Sequence, residues 1–179
     1  MIKTFINKLL DISSKSIHDV KYMVTVSNSV ECNKLINELK ITSTIIDFYN
    51  IDDKILFFAQ DIFGNQFCIF NSNIYLFDIE TGDTELIASD FEELAKKILD
   101  NYDYLTGYSL AYEWQTKYGK LAENERLMPK IPFVLGGEYK IENLTKVNII
   151  EYLNFRSDFA KQIKNISDGE QIKFEIQQS

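Results

Sequence analysis

The side chains that most often carry out chemistry are sparse in these 179 residues. The only histidine, His18, stands in a polar, loop-like stretch without a histidine or cysteine partner nearby. One imidazole cannot build the common histidine-rich metal centres, and it leaves little for a Ser-His-Asp relay. His18 is therefore read as an exposed loop residue. Gly107-Tyr108-Ser109-Leu110-Ala111 lacks the second glycine of a nucleophile elbow. Gly136-Gly137 lacks the lysine and the following helix of a phosphate-binding loop. Glu92 and Glu93 are neighbours on a predicted helix and point apart, so they cap and polarise its first turn rather than pair as acid and base. Cys32 and Cys68 are far apart and make no metal-type spacing. Cys68 falls inside a predicted strand, where a small buried thiol is the usual occupant. A reducing cytosol is the simpler setting, although the two could pair. No catalytic residue, cofactor site or metal site emerges.

Residues suited to contact rather than catalysis are more abundant. Tyr102, Tyr104, Tyr108 and Tyr112 crowd one short stretch, and not all of them can face inward. Surface tyrosines bury much area at small entropic cost when a partner binds. The formal net charge is −8, and it is uneven: Asp47–Asp103 holds 13 acids and 3 lysines, while the remainder holds 14 acids and 16 bases. Such a face repels nucleic acid and anionic lipid and attracts basic proteins. Dispersal of acids for solubility is the competing reading. Asp78, Glu80 and Asp83 stand with the four tyrosines as candidate partner contacts. Trp114 is spaced as a core anchor with Leu110 and Tyr118. Asp61 and Asn65 are placed to bond the backbone of a turn.

These residues need positions, and the clearest positioning signal is Ile55–Phe77. Apolar runs at Ile55–Ala59, Phe67–Phe70 and Ile74–Phe77 alternate with breaks at Asp61–Asn65 and Asn71–Asn73, which predicts a three-stranded antiparallel meander. Gly82 lies in the next turn, and Thr84–Ala88 is predicted as a fourth strand. Asp90 with Glu93 three residues on marks the start of a helix over Phe91–Asn101. Further helices are predicted over Leu110–Tyr118, stopped by Gly119, and over Ile149–Lys164, with Ile149, Ile150, Leu153, Ala160 and Ile163 inward. Lys120–Leu127 reads as a polar loop. Met128–Pro132 reads as an extended segment that cannot join the middle of a sheet, and Phe133–Tyr139 as an apolar stretch ending in a bend. Leu144–Val147 and Gln171–Ile176 read as strands, with Asp168-Gly169 as a turn between helix and closing strand. Before Ile51 the pattern predicts an amphipathic helix near Ile2–Leu10, a strand over Tyr22–Val26, a helix over Glu31–Leu39 and an extended segment over Ile41–Tyr49.

The order contains no regular βαβ alternation, so the fold class is α+β: one domain over 1–179 with a central, mostly antiparallel sheet and helices against it. The central strands do not alternate apolar and polar, so both faces are covered. Helices cover one. The other is left to the N-terminal segment, to Met128–Leu135, or in part to a partner. No run of 18 apolar residues exists, and Met1–Ser16 has the look of an amphipathic helix rather than a signal peptide.

The strings FFAQDIFGNQFCIF (57–70) and IYLFDIETGDTELIASDFEELAKKIL (74–99), with LTGYSLAYEWQ (105–115), RLMPKIPFVLGGEY (126–139) and Asp168-Gly169, resemble a bacterial branch of the SUKH superfamily, which includes the yeast Smi/Knr regulators. The first 50 residues depart from that pattern. The resemblance implies an α+β binding protein without catalytic residues or cofactors. It further implies a cytoplasmic immunity protein that sequesters a toxin domain, with a regulatory scaffold as the alternative. The acidic excess is suited to a basic, nuclease-type toxin, with neither nucleic acid nor membrane as partner.

Overall fold

The computed structural model describes residues 25–26, 55–164 and 166. Expectations for the N-terminal helix, His18, Cys32, Glu31–Leu39, Ile41–Tyr49, Asp168-Gly169 and Gln171–Ile176 lie outside the described residues.

The meander forms as its pattern demands. Strands β1 (Thr25–Val26), β2 (Leu56–Gln60), β3 (Gln66–Phe70), β4 (Asn73–Phe77) and β5 (Thr84–Ala88) make one antiparallel sheet in chain order. Between β3 and β4 only Asn71 and Ser72 turn the chain, at φ 47° and 67°. Positive φ at both positions matches the right-handed twist of a tight hairpin, and asparagine tolerates it well.

Two helical layers explain why the strands are apolar on both sides. Helix α1 (Phe91–Asp100) and the short α2 (Tyr102–Thr106) cover one face: Leu94, Ala95, Ile98 and Leu105 pack on Phe58, Phe67, Ile74 and Ile87. Helix α4 (Ile149–Ile163) covers the other, where Ile149, Tyr152 and Leu153 meet Phe57, Cys68, Phe77 and Ile79. Thus α4 covers the second face, joined by half-buried Met128 from the expected Met128–Leu135 segment, and the N-terminal segment lies outside the described residues. A register shift between Phe57 and Ala59 adds a local reason for lost alternation. It leaves Phe58 and Ala59 in the same core cluster.

The Asp90 cap is present, with its side chain accepting from the Glu92 and Glu93 N–H groups. Glu93 returns the bond one residue earlier than expected, accepting from the backbone and hydroxyl of Ser89, both at 2.8 Å. Strand β6 (Glu125–Pro129) pairs with β7 (Leu144–Asn148) in a separate two-stranded ribbon. So Glu125–Leu127, expected as loop, is strand. The polar Arg126 is buried there because its guanidinium donates to the Glu123 and Glu125 carbonyls. Ile150 sits at the exposed edge of α4, and Tyr152, Arg156 and Phe159 take the inward positions.

Helix α3 (Tyr108–Tyr118) starts two residues before the expected Leu110. Gly107 divides it from α2 at φ +67°. A Cβ there would lie 2.4 Å from a ring carbon of Phe63 and 2.6 Å from Ile62 Cγ2. Gly107→Ala combines left-handed strain with overpacking, and we expect it to destabilise the fold by about 2 kcal/mol or more. Urea denaturation would show this as a lower midpoint at unchanged slope.

Candidate partner-binding cleft

The turn after β2 sets one wall of an open cleft. Asp61 Oδ1 accepts from the N–H groups of Phe63 at 2.9 Å and Asn65 at 2.8 Å, and Asp61 Oδ2 accepts from Asn65 Nδ2 at 2.9 Å. Asn65 in turn accepts from Ile79 N–H at 3.2 Å, which ties this turn to the one after β4. The residues thought to bond a turn do so, and they also link two turns. In the second turn Glu80 N–H donates to Asp78 Oδ1 at 2.6 Å and Gly82 N–H to the Asp78 carbonyl at 2.8 Å.

Helix α2 forms a second wall with Asp103 and Tyr104, and the loop between β6 and β7 forms a third with Phe133, Val134 and Tyr139. The cleft measures about 640 Å³. Its carboxylates are Asp61, Asp78, Glu80, Asp83, Glu85 and Asp103, and among the described residues no lysine, arginine or histidine lines it. The third wall exists because the chain doubles back at Gly136-Gly137. A Cβ on Gly137 would stand 1.9 Å from the Ile131 carbonyl oxygen, so only glycine lets the two backbones meet. Phe133 and Tyr139, brought together by this fold-back, stack at 3.9 Å and 6°.

Glu80 fastens the walls to each other. It is 6% exposed. One carboxylate oxygen lies 2.8 Å from Nη2 of the fully buried Arg156 on α4, and the other accepts from Val134 N–H at 3.1 Å. The rings of Tyr152, Phe155 and Phe159 surround the Arg156 guanidinium at 5.3, 5.9 and 5.3 Å. Burial drives the Glu80 carboxyl above its ordinary range, and the Arg156 charge opposes that only in part. Burial also raises Asp78. It pushes Asp61 up to about 7, although that group's hydrogen bonds pull the other way. Two phenols at the cleft are raised as well. Tyr104 is raised first by its bond to Glu85, and Tyr139 by burial and then by Glu80, Asp78 and Asp61.

Of the candidates named from sequence, Tyr104, Asp78, Glu80 and Asp83 meet in this cleft. Tyr102 and Tyr108 do not line it; they pack at the edge of the α1-side core, ring to ring at 5.8 Å. Tyr112 is exposed and stacks on Tyr108 at 6.3 Å. Sequence reasoning missed Glu85, Asp103, Tyr139 and the Phe133–Val134 wall. The acid-rich span already held the first two, and the paired glycines between Phe133 and Tyr139 were the available signal for the rest. Cys68 is buried, and its thiol is raised to about 12 by desolvation. Among the described residues no group of His, Cys, Asp and Glu is placed to hold a metal ion. No helix among them is long and apolar enough to cross a membrane.

The cleft can be set beside known proteins. Residues 88–160 match the family of the T6SS immunity protein Tdi1, C-terminal. The match supports a toxin-immunity family. It is not a match to the SUKH superfamily, and it covers less than half of the chain. Asp103, Tyr104, Phe133, Val134, Tyr139 and Tyr152 of the cleft fall inside it. The crystal structure of Atu4351 from Agrobacterium tumefaciens superposes with a TM-score of 0.47 at 14% identity, over 66% of this chain and 62% of that one. No curated protein matches the chain.

Asp61 gives the cleft a pH signature. A carboxyl raised from 3.8 to about 7 holds its proton more tightly folded than unfolded. Its stabilising contribution is complete below the unfolded value and is lost as pH rises through about 7. Asp78 and Glu80 shift in the same direction. The melting temperature should therefore fall between pH 4 and pH 7.5. Exchanging the pair, Asp61→Asn with Asn65→Asp, keeps every donor facing an acceptor and moves the charge to a half-buried position. Thermal melts of that double variant should show a visibly shallower pH slope.

Proposed function

We propose that this protein is an immunity protein: a non-enzymatic, cytoplasmic module that binds a protein toxin and blocks it. The family match over residues 88–160 carries this reading, and the acidic cleft, to which the matched segment contributes Asp103, Tyr104, Phe133, Val134, Tyr139 and Tyr152, supports it. Opposite potentials speed encounter and fix register. A basic toxin, such as a nuclease that must itself hold phosphate backbone, is the fitting counterpart. Asp78, Asp83 and Tyr104 form the proposed contact region, with Glu80 shaping it from within, and exposed Tyr112, beside Tyr102 and Tyr108, is a further proposed contact outside the cleft. The whole chain acts as one domain in this reading.

The test is co-expression with the toxin encoded beside the gene. We expect restored growth of a host that the toxin alone arrests, and a stoichiometric complex on size-exclusion chromatography. Continued growth arrest together with separate elution of the two chains would overturn the reading. A partner other than a toxin, captured without any protection, would favour the regulatory-scaffold alternative.

A further inference from the structure

The cleft combines three features that together specify the group it takes. Its opening is lined by exposed apolar side chains: Tyr104 is 61% exposed, Val134 47% and Tyr139 65%. Tyr139 is not a loose ring, because its stack on Phe133 holds one aromatic face in place. The inner carboxylates are already engaged, Asp61 by turn N–H groups and Glu80 by Arg156 and Val134. Asp83, Glu85 and Asp103 stand exposed in the outer walls, with Asp103 Oδ1 also accepting from the Ser109 N–H at 2.8 Å. Of these, Glu85 accepts from the Tyr104 hydroxyl at 2.8 Å, which presents ring and carboxylate as one unit.

We infer that this groove takes an arginine side chain displayed on the basic surface of the toxin, seated between Tyr104 and Tyr139 with Asp83, Glu85 and Asp103 around its guanidinium. The inference rests on the immunity reading for the partner's identity and on the groove for its chemistry. A guanidinium is flat, weakly hydrated and many-handed, so it stacks on a tyrosine face while donating to carboxylates at its edge. An ammonium is compact and strongly hydrated and gains less from the rings. The same chemistry holds Arg156 behind the cleft floor, where one carboxylate and three rings surround a guanidinium. Glu80 acts here as a positioning residue, since its bond to Val134 N–H sets the lip that carries Tyr139.

The probe is a blocked hexa-arginine peptide, with hexa-lysine as the charge-matched control, titrated by NMR against the full chain at low salt. We expect hexa-arginine to bind at least about tenfold more tightly than hexa-lysine. The preference should vanish in Tyr139→Leu, which keeps an apolar side chain but removes the ring. Binding of both peptides should weaken in Asp83→Asn with Glu85→Gln. The control Asp100→Asn with Asp158→Asn removes two exposed charges outside the cleft and should leave the preference intact. Circular dichroism melts confirm that each variant folds. Equal binding of the two peptides, or a preference that survives Tyr139→Leu, overturns the inference while leaving toxin protection to be judged separately. A preserved arginine preference without protection against the toxin overturns the immunity reading and leaves the groove's chemistry standing.

Discussion

The buried pair of Glu80 and Arg156 is the constraint on which the arrangement of the cleft depends. Both charges are removed from water, at a cost of several kcal/mol for each ion, and their attraction offsets this only with close geometry and further hydrogen bonds. The structure meets that requirement in part, from three separate parts of the chain, since Nε and Nη1 of Arg156 find no hydrogen-bond partner among the described residues. The turn after β4 brings the carboxylate, α4 brings the guanidinium, and the loop after β6 brings the Val134 N–H. Remove any one and the others are left with an uncompensated buried group. The pair therefore adds a directional link between the turn and α4, which Ile79, Ile149, Tyr152 and Leu153 already pack together, and ties the loop after β6 to both. Those elements include the third wall of the cleft and, through the bond from Ile79 N–H to Asn65, reach the turn that sets the first.

The turn from Asp61 to Asn65 plays the corresponding role on the remaining side. Besides its own bonds it receives Thr106 and Leu127: Ile62 N–H donates to the Thr106 carbonyl at 3.3 Å, and the Ile62 carbonyl accepts from Leu127 N–H at 2.9 Å. A hairpin turn that usually lies free in solvent is here the meeting point of the sheet, α2 and the β6–β7 ribbon. Phe63 adds the apolar part of that junction by packing with Ala111, Trp114 and Leu127. This explains why a carboxylate is placed where burial pushes it toward neutrality. The turn needs its acceptor atoms more than it suffers from their desolvation.

What could be read before folding follows the range of the forces involved. The meander, the Thr84–Ala88 strand and the Asp90 cap are local matters of alternation, turn chemistry and orphan N–H groups, and they were legible to within a residue or two. Helix α4 is legible, with Ile149, Leu153 and Ala160 inward as expected and Ile163 half-buried, but Ile150 is exposed and Arg156 is core, because apolar spacing has no way to rank an arginine as core. Only the rings at Tyr152, Phe155 and Phe159 around position 156 hinted that this guanidinium was to be caged. The cleft was half legible: Asp78, Glu80, Asp83 and Tyr104 were named from charge and tyrosine density. Tyr139 was not, because it arrives by a fold-back that needs glycine at position 137, where a Cβ would collide with the Ile131 carbonyl.

Placement also weighs on a choice that charge counts left open, between acids kept for solubility and acids kept for a partner. Acids that serve solubility work best when dispersed among bases over a convex surface, because gathering them raises their mutual repulsion. Here several converge on one concavity whose described lining residues include no cation, and two phenols beside them are raised, Tyr104 first by its bond to Glu85 and Tyr139 first by burial. The exposed apolar side chains at the same opening do nothing for solubility. Repulsion held in a preformed groove is relieved when a cation enters, so the strain of the free protein becomes affinity in the complex. Acids and rings gathered at one opening thus favour the partner over solubility alone, in keeping with the proposed role as a toxin-binding module.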